Sequence, residues 1–174
     1  MSTTTQTPRH TQTASHPEHT NGIRASAGAD RAAEYGTPWR APDAVEANPI
    51  GLDREVVEQI LPKLDALQAT MWTLYHQYQK HHWLVEGPQY MDLHRFFEAC
   101  YEEVHKYIDR LAERMTALGG TPTSSPVNQA ALSYVEHEPE GTFRLREMLE
   151  HDLAAEATLV VKLREAIELA YELG

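Results

Sequence analysis

A chain of 174 residues with a formal charge of -11 at neutral pH is long enough for one packed core and too short for two domains of ordinary size. Its acidity excludes a surface built mainly to neutralise phosphate groups and makes cations the natural small partners. The single cysteine, Cys100, excludes an intrachain disulfide and any cysteine-built zinc or iron–sulfur centre.

Residues 1–50 are rich in Ser, Thr, Ala, Gly, Pro and His and carry no sustained periodicity, the composition of a mobile tail. The start has no apolar core of a secretory signal, and no apolar run in the chain reaches membrane-spanning length. A soluble cytoplasmic protein with no membrane partner is the expectation, with association to the nucleoid left open. The tail's Arg9, Arg24, Arg31 and Arg40 are nearly cancelled by Glu18, Asp30, Glu34, Asp43 and Glu46. It is not a polybasic arm, and DNA binding is expected to be weak or absent.

The folded domain is expected over residues 51–174. From Asp53, Val56, Val57, Ile60, Leu61, Leu64, Leu67, Met71, Leu74, Tyr75 and Tyr78 recur at three and four residue steps, which predicts an amphipathic helix to about Trp83. Pro62 falls inside this pattern, so the helix either kinks there or begins near it. Gly87–Pro88 breaks the chain. A second helix is predicted from about Gln89 to Leu118, closed by Gly119–Gly120, with Phe96, Phe97, Cys100, Tyr101, Val104, Ile108, Leu111 and Met115 on its apolar side. Residues 128–135 form a candidate short helix. A third long helix is predicted after Thr142 as N-cap, running toward Tyr171. No segment alternates as a strand, and the class is all-α, built on long antiparallel helices.

Seven of the ten histidines lie beyond residue 75, six of them inside predicted helices. On a helical wheel His94, Glu98, Glu102, His105, Asp109 and Glu113 share a sector roughly 100° wide, away from the apolar side. A solvated acidic face is the ordinary explanation for such a stripe. Two details argue for more: the stripe almost lacks lysine and arginine, and it mixes imidazole with carboxylate, the ligand set suited to iron, manganese or zinc. His94 and Glu98 are one turn apart, as are Asp109 and Glu113, so each pair can converge on one ion. The two pairs are roughly 22 Å apart along one helix axis. Two copies packed antiparallel about a two-fold axis near residues 103 and 104 would bring the unlike pairs together and make two equivalent sites. His82, just across the Gly87–Pro88 turn, is placed to join His94. Trp83 beside it is either a wall of that site or a core aromatic.

The run KHHWLVEGPQYMDLHRFFEACYEEVHKYIDRLAERMTALGGTPTSSP resembles the Dps-type mini-ferritins in its His–Trp, Gly, Leu–His–x–x–Phe, Asp–x–x–Ala–Glu–Arg and Leu–Gly–Gly elements. The likeness is good over residues 55–120, weaker to 174, and does not cover the tail. It implies a ferritin-like four-helix bundle that assembles as a hollow homododecamer. It also implies oxidation of Fe(II), preferentially by hydrogen peroxide, and storage of a ferric mineral. No organic cofactor is implied. The family's ferroxidase ligands fall on His82 and His94 of one subunit and Asp109 and Glu113 of its dimer mate; Glu98 stands where the family usually has aspartate. Glu102 and His105 are then supporting polar groups of the interface or inner surface. The family's fourth long helix would follow AYELG, so the sequence is expected to be a fragment that lacks this helix and most of the residues lining the pores through which iron passes.

Three rivals remain. An intrachain di-iron bundle needs two Glu–x–x–His motifs, and only Glu102 and His105 have that spacing. A nucleoid DNA-compacting protein with little ferroxidase activity would need basic charge that the tail lacks. A helical oligomerisation module would need no metal at all.

Overall fold

The computed structural model describes residues 35–174, and these residues are entirely helical and irregular, with no strand among them. The first 34 residues of the expected tail, including His10, His16 and His19, lie outside the described residues. Four helices follow one another: α1 (Arg54–Leu84), α2 (Tyr90–Ala117), α3 (Pro126–Leu132) and α4 (Leu145–Leu173).

Helix α1 is the axis of the fold. It packs against α2, α3 and α4, whereas α2 and α4 make no close backbone approach to each other. This explains why α1 buries residues around much of its circumference between Ala66 and His81, while α2 buries only Phe97, Ile108 and Met115. Pro62 does not start the helix. It sits eight residues inside α1 at an exposed position.

Two apolar clusters hold the helices together. Leu74, Tyr78 and Val85 meet Phe97 and Ala155 near the α1–α2 turn, with Leu93, Cys100, Tyr101 and Leu159 around them. At the other end Val57, Leu61, Met115 and Leu118 form the second cluster, against which Val45 also packs. The segment before α1 therefore reaches the domain: the Glu46 N–H donates to the Gly119 carbonyl at 2.9 Å.

The C-terminus of α2 shows why two glycines stand there. The Gly120 N–H donates to the Met115 carbonyl and the Gly119 N–H to Thr116, the paired pattern that ends a helix with a left-handed residue. Gly119 has φ +87°, and a Cβ there would lie 2.3 Å from the Glu46 carbonyl oxygen; one on Gly120 would lie 2.7 Å from the Leu61 methyls. Both positions combine a turn with close packing.

Two predicted boundaries shift. The short helix begins at Pro126, two residues early, because proline is preorganised for the first helical position, and it ends at Leu132. Helix α4 is not capped by Thr142. Its N-cap is Arg144, whose N–H donates to the Glu147 carboxylate at 3.0 Å, so the glutamate three residues on sets the start.

Along α4, Leu153, Val160, Val161, Ile167 and Tyr171 are exposed. Between α2 and α4 an open groove of about 880 Å³ is lined by Met71, Val104, Leu111, Leu159 and Leu163. The arrangement is three long helices and one short helix.

Candidate metal centre

The turn between α1 and α2 brings His82 and His94 face to face. Their imidazoles stack with centroids 3.6 Å apart and planes 19° from parallel. Each Nδ1 lies 2.8 Å from the other residue's backbone carbonyl, His82 on His94 and His94 on His82. A carbonyl only accepts, so both Nδ1 atoms carry hydrogen, and in the neutral rings both Nε2 atoms keep a lone pair. That is the tautomer a metal-ligating imidazole needs, with its other nitrogen held by backbone. The rings are fixed without any metal.

Their surroundings continue the same face. Glu98, one turn beyond His94, is half-buried. Tyr101 places its ring edge-on to His82 at 5.4 Å. Its phenol is held above the usual tyrosine range by burial and then by the charges of Glu98 and Glu102, which leaves it a neutral donor.

Asp109, Glu113, Glu102 and His105 lie further along α2 on exposed positions. Because α2 is unbroken from Tyr90 to Ala117, Asp109 and Glu113 stay about four and about five turns from His94 in the same chain. Among the described residues, no three His, Cys, Asp or Glu side chains of one chain converge to hold a metal ion. A single chain thus brings together His82 and His94, with Glu98 nearby, and leaves the two distal carboxylates open to solvent. His105 is turned toward α1, against Trp72 and Tyr75. Trp83 is 66% exposed and does not enclose the imidazole pair within one chain.

A second polar cluster lies on another face of α1, about 100° from His82. His81 is fully buried, with Nδ1 2.9 Å from the Asp152 carboxylate and Nε2 3.0 Å from Glu138. The latter approach is close but off hydrogen-bond geometry. Lys80 Nζ stands 2.6 Å from the same glutamate. His151 reaches Glu138 at 2.7 Å, and the Gln77 amide donates to Asp152 at 2.8 Å. Burial pushes the Glu138 carboxyl up, yet Lys80, His151 and His81 outweigh it and hold the group below the usual range. Tyr78 donates to Glu156, and its phenol is raised well above the ordinary value by burial and then by that carboxylate.

Sequence reasoning missed this cluster. Glu138 stands in a segment that reads as a plain break, and Asp152 among apolar neighbours looks like an ordinary helix residue. The one available signal was the His81–His82 doublet. Adjacent helix positions point about 100° apart, so two histidines in a row must serve two faces.

Residues 61–174 match the ferritin-like domain family, which gives the class of this helical arrangement. The chain is 40% identical over 127 residues to the nutrient stress-induced DNA-binding protein of Nostoc sp., spanning 73% of this chain and 69% of that one. The archaeal Dps homologue of Halobacterium salinarum superposes with a TM-score of 0.72 at 36% identity, over 80% of this chain and 76% of that one. The Dps protein of Vibrio cholerae O1, described as a member of a broad superfamily of ferritin-like diiron-carboxylate proteins, superposes with a TM-score of 0.70 at 27% identity, over 75% and 82%. Within the ferritin-like class, the chain belongs to the Dps-type mini-ferritins.

Proposed function

We propose that this protein oxidises Fe(II), preferentially with hydrogen peroxide, at sites shared between two subunits and stores the ferric product in the cavity of a dodecamer, limiting oxidative damage. In each site His82, His94 and Glu98 of one subunit face Asp109 and Glu113 of its partner. The observation that carries this reading is the reciprocal clasp of His82 and His94, which presets both Nε2 lone pairs. A purely structural pair of histidines needs no such common tautomer.

The division of labour follows from ligand chemistry. Imidazole nitrogens suit the ferrous substrate, and hard carboxylate oxygens favour the ferric product. A site split across a two-fold holds iron only where two subunits have met, so oxidation is tied to the assembled shell and the mineral forms inside it. Two irons held together deliver two electrons to one peroxide, which becomes water or hydroxide without passing through a free radical. Family membership supports this reading, as does the diiron-carboxylate description of the Vibrio cholerae relative.

Mixing anaerobic protein with ferrous iron and peroxide tests it. Peroxide consumption well above the buffer rate, at about one peroxide per two irons, is expected. Consumption at the buffer rate would overturn the proposal.

A second reading is favoured by one observation, the DNA-binding description of the Nostoc relative: a DNA-compacting protein with little ferroxidase activity. The formal charge of -11 argues against it, because nonspecific DNA affinity rests on neutralised phosphates.

A further inference from the structure

Pairing His94 with the partner's Glu113, and Glu98 with the partner's Asp109, centres the two-fold axis between Glu103 and Val104. The same register sets Glu102 level with the partner's His105, and His105 level with the partner's Glu102. Each of these four groups lies roughly 2 Å from the two-fold, measured along α2. On the helical wheel Glu102 and His105 straddle the middle of the sector that carries the candidate iron ligands. Two helices packed about 8–10 Å apart therefore bring all four side chains within reach of one point on the axis.

The single chain already prepares them. His105 stands about three turns beyond His94 and points in nearly the same direction from α2. Each leans on α1 in the same way, His94 on His82 and His105 on Tyr75 at 5.5 Å and Trp72 at 5.9 Å. Those rings hold the His105 imidazole and still leave it exposed. Glu102 is exposed as well. Among the described residues neither the His105 nitrogens nor the Glu102 carboxylate makes a hydrogen bond or close ion pair, and the nearby Lys106 is taken by Glu103 at 2.9 Å. When two chains close over this face, both Glu102 carboxylates leave water together. Like charges gathered in a desolvated place repel. Neutral imidazoles do not offset that repulsion, whereas a divalent cation does.

We propose that Glu102 and His105, with the partner's Glu102 and the partner's His105, hold one zinc-class divalent ion on the two-fold axis, separate from the two iron sites. The inference rests on the shared-site reading, which supplies the register. Two imidazole nitrogens and two carboxylate oxygens make a complete four-coordinate set. No position stays open for a substrate, so the ion is structural. It joins the two α2 helices, and because it binds only the paired state it stabilises pairing. The Glu–x–x–His motif occurs once in the chain, and the two-fold supplies its second copy. A di-iron bundle adds a glutamate from each of two further helices; here α1 offers Trp72 and Tyr75 beside His105 instead, so the set holds one ion and not two.

The test uses the full chain stripped of metal, with assembly followed by native mass spectrometry and bound zinc by elemental analysis. Wild type should hold one zinc ion per two chains more than His105→Ala, and Glu102→Gln should weaken that ion by more than about tenfold. Zinc should shift wild type toward paired subunits and leave His105→Ala unmoved. In chains carrying both His82→Ala and Asp109→Ala, where the iron sites are disabled, cobalt(II) should still bind at one ion per pair and show the intense visible bands of a four-coordinate ion. Equal zinc in wild type and His105→Ala, or paired double-variant chains without those bands, would overturn the axial site while leaving iron oxidation standing. A wild-type chain that neither pairs nor oxidises iron would overturn both.

Discussion

At adjacent positions on α1, His81 and His82 meet opposite surroundings. His82 is clasped by a backbone carbonyl and keeps a free nitrogen, whereas His81 has Nδ1 bonded to the Asp152 carboxylate and Nε2 lying 3.0 Å from Glu138. The rotation of α1 that aims His82 at α2 is therefore locked by His81, Asp152 and Glu138 on another face. Removing one member leaves buried charge uncompensated, so Glu138→Gln is predicted to cost about 3–5 kcal/mol, read as a lower urea midpoint. The pH dependence has a definite sign. Glu138 is held below its ordinary value of 4.5, so its stabilisation is present above that pH and is lost as pH falls through the lower, folded value. Wild type should lose stability in that acid window faster than Glu138→Gln does. Cys100 behaves in the opposite sense. Burial, then Glu156 and Asp152, push its thiol up to about 11 from 9.0. The folded state favours the thiol, so this contribution is present below pH 9 and fades between 9 and 11. Alkylation of Cys100 should be slow at neutral pH and rise with a midpoint near 11; a midpoint near 9 would contradict the burial.

At the scale of elements, helix existence was legible because apolar residues repeat at the helical period, and α1 and α2 appear close to their expected ends. The His94 to Glu113 stripe was legible for the same reason. Ends were harder to read where a cap depends on a later side chain, as with Glu147 and Arg144, or where proline sets the start, as at Pro126. The His81 cluster was illegible because its members come from α1, the loop before α4 and α4 itself, and only packing joins them. The close of α2 gives a sharp prediction. Gly119→Ala places a Cβ on left-handed backbone and against the Glu46 carbonyl. Left-handed backbone alone costs about 1–2 kcal/mol, so a loss above that range is expected in thermal or urea unfolding. An unchanged midpoint would mean that the Val45–Glu46 segment does not hold the close of α2.

For the whole molecule, the proposed shared site needs a second chain, because within one chain Asp109 and Glu113 stay open to solvent and no metal cluster forms among the described residues. Among the described residues no helix is long and apolar enough to cross a membrane. The acidic charge predicts that plasmid DNA is not retarded in a gel-shift at about 150 mM salt, where a protein with few phosphate contacts loses nonspecific affinity; stoichiometric retardation would favour the DNA-compacting reading. The central claim is that two chains build each iron site. It is tested most directly by mixing His82→Ala chains with Asp109→Ala chains after dissociation and following iron oxidation by peroxide. Each variant alone should be inactive. In a mixed dimer one site carries both lesions and the other carries neither, so activity should return at one intact site per mixed dimer. No recovery in mixed dimers whose assembly is verified by mass would contradict a shared site.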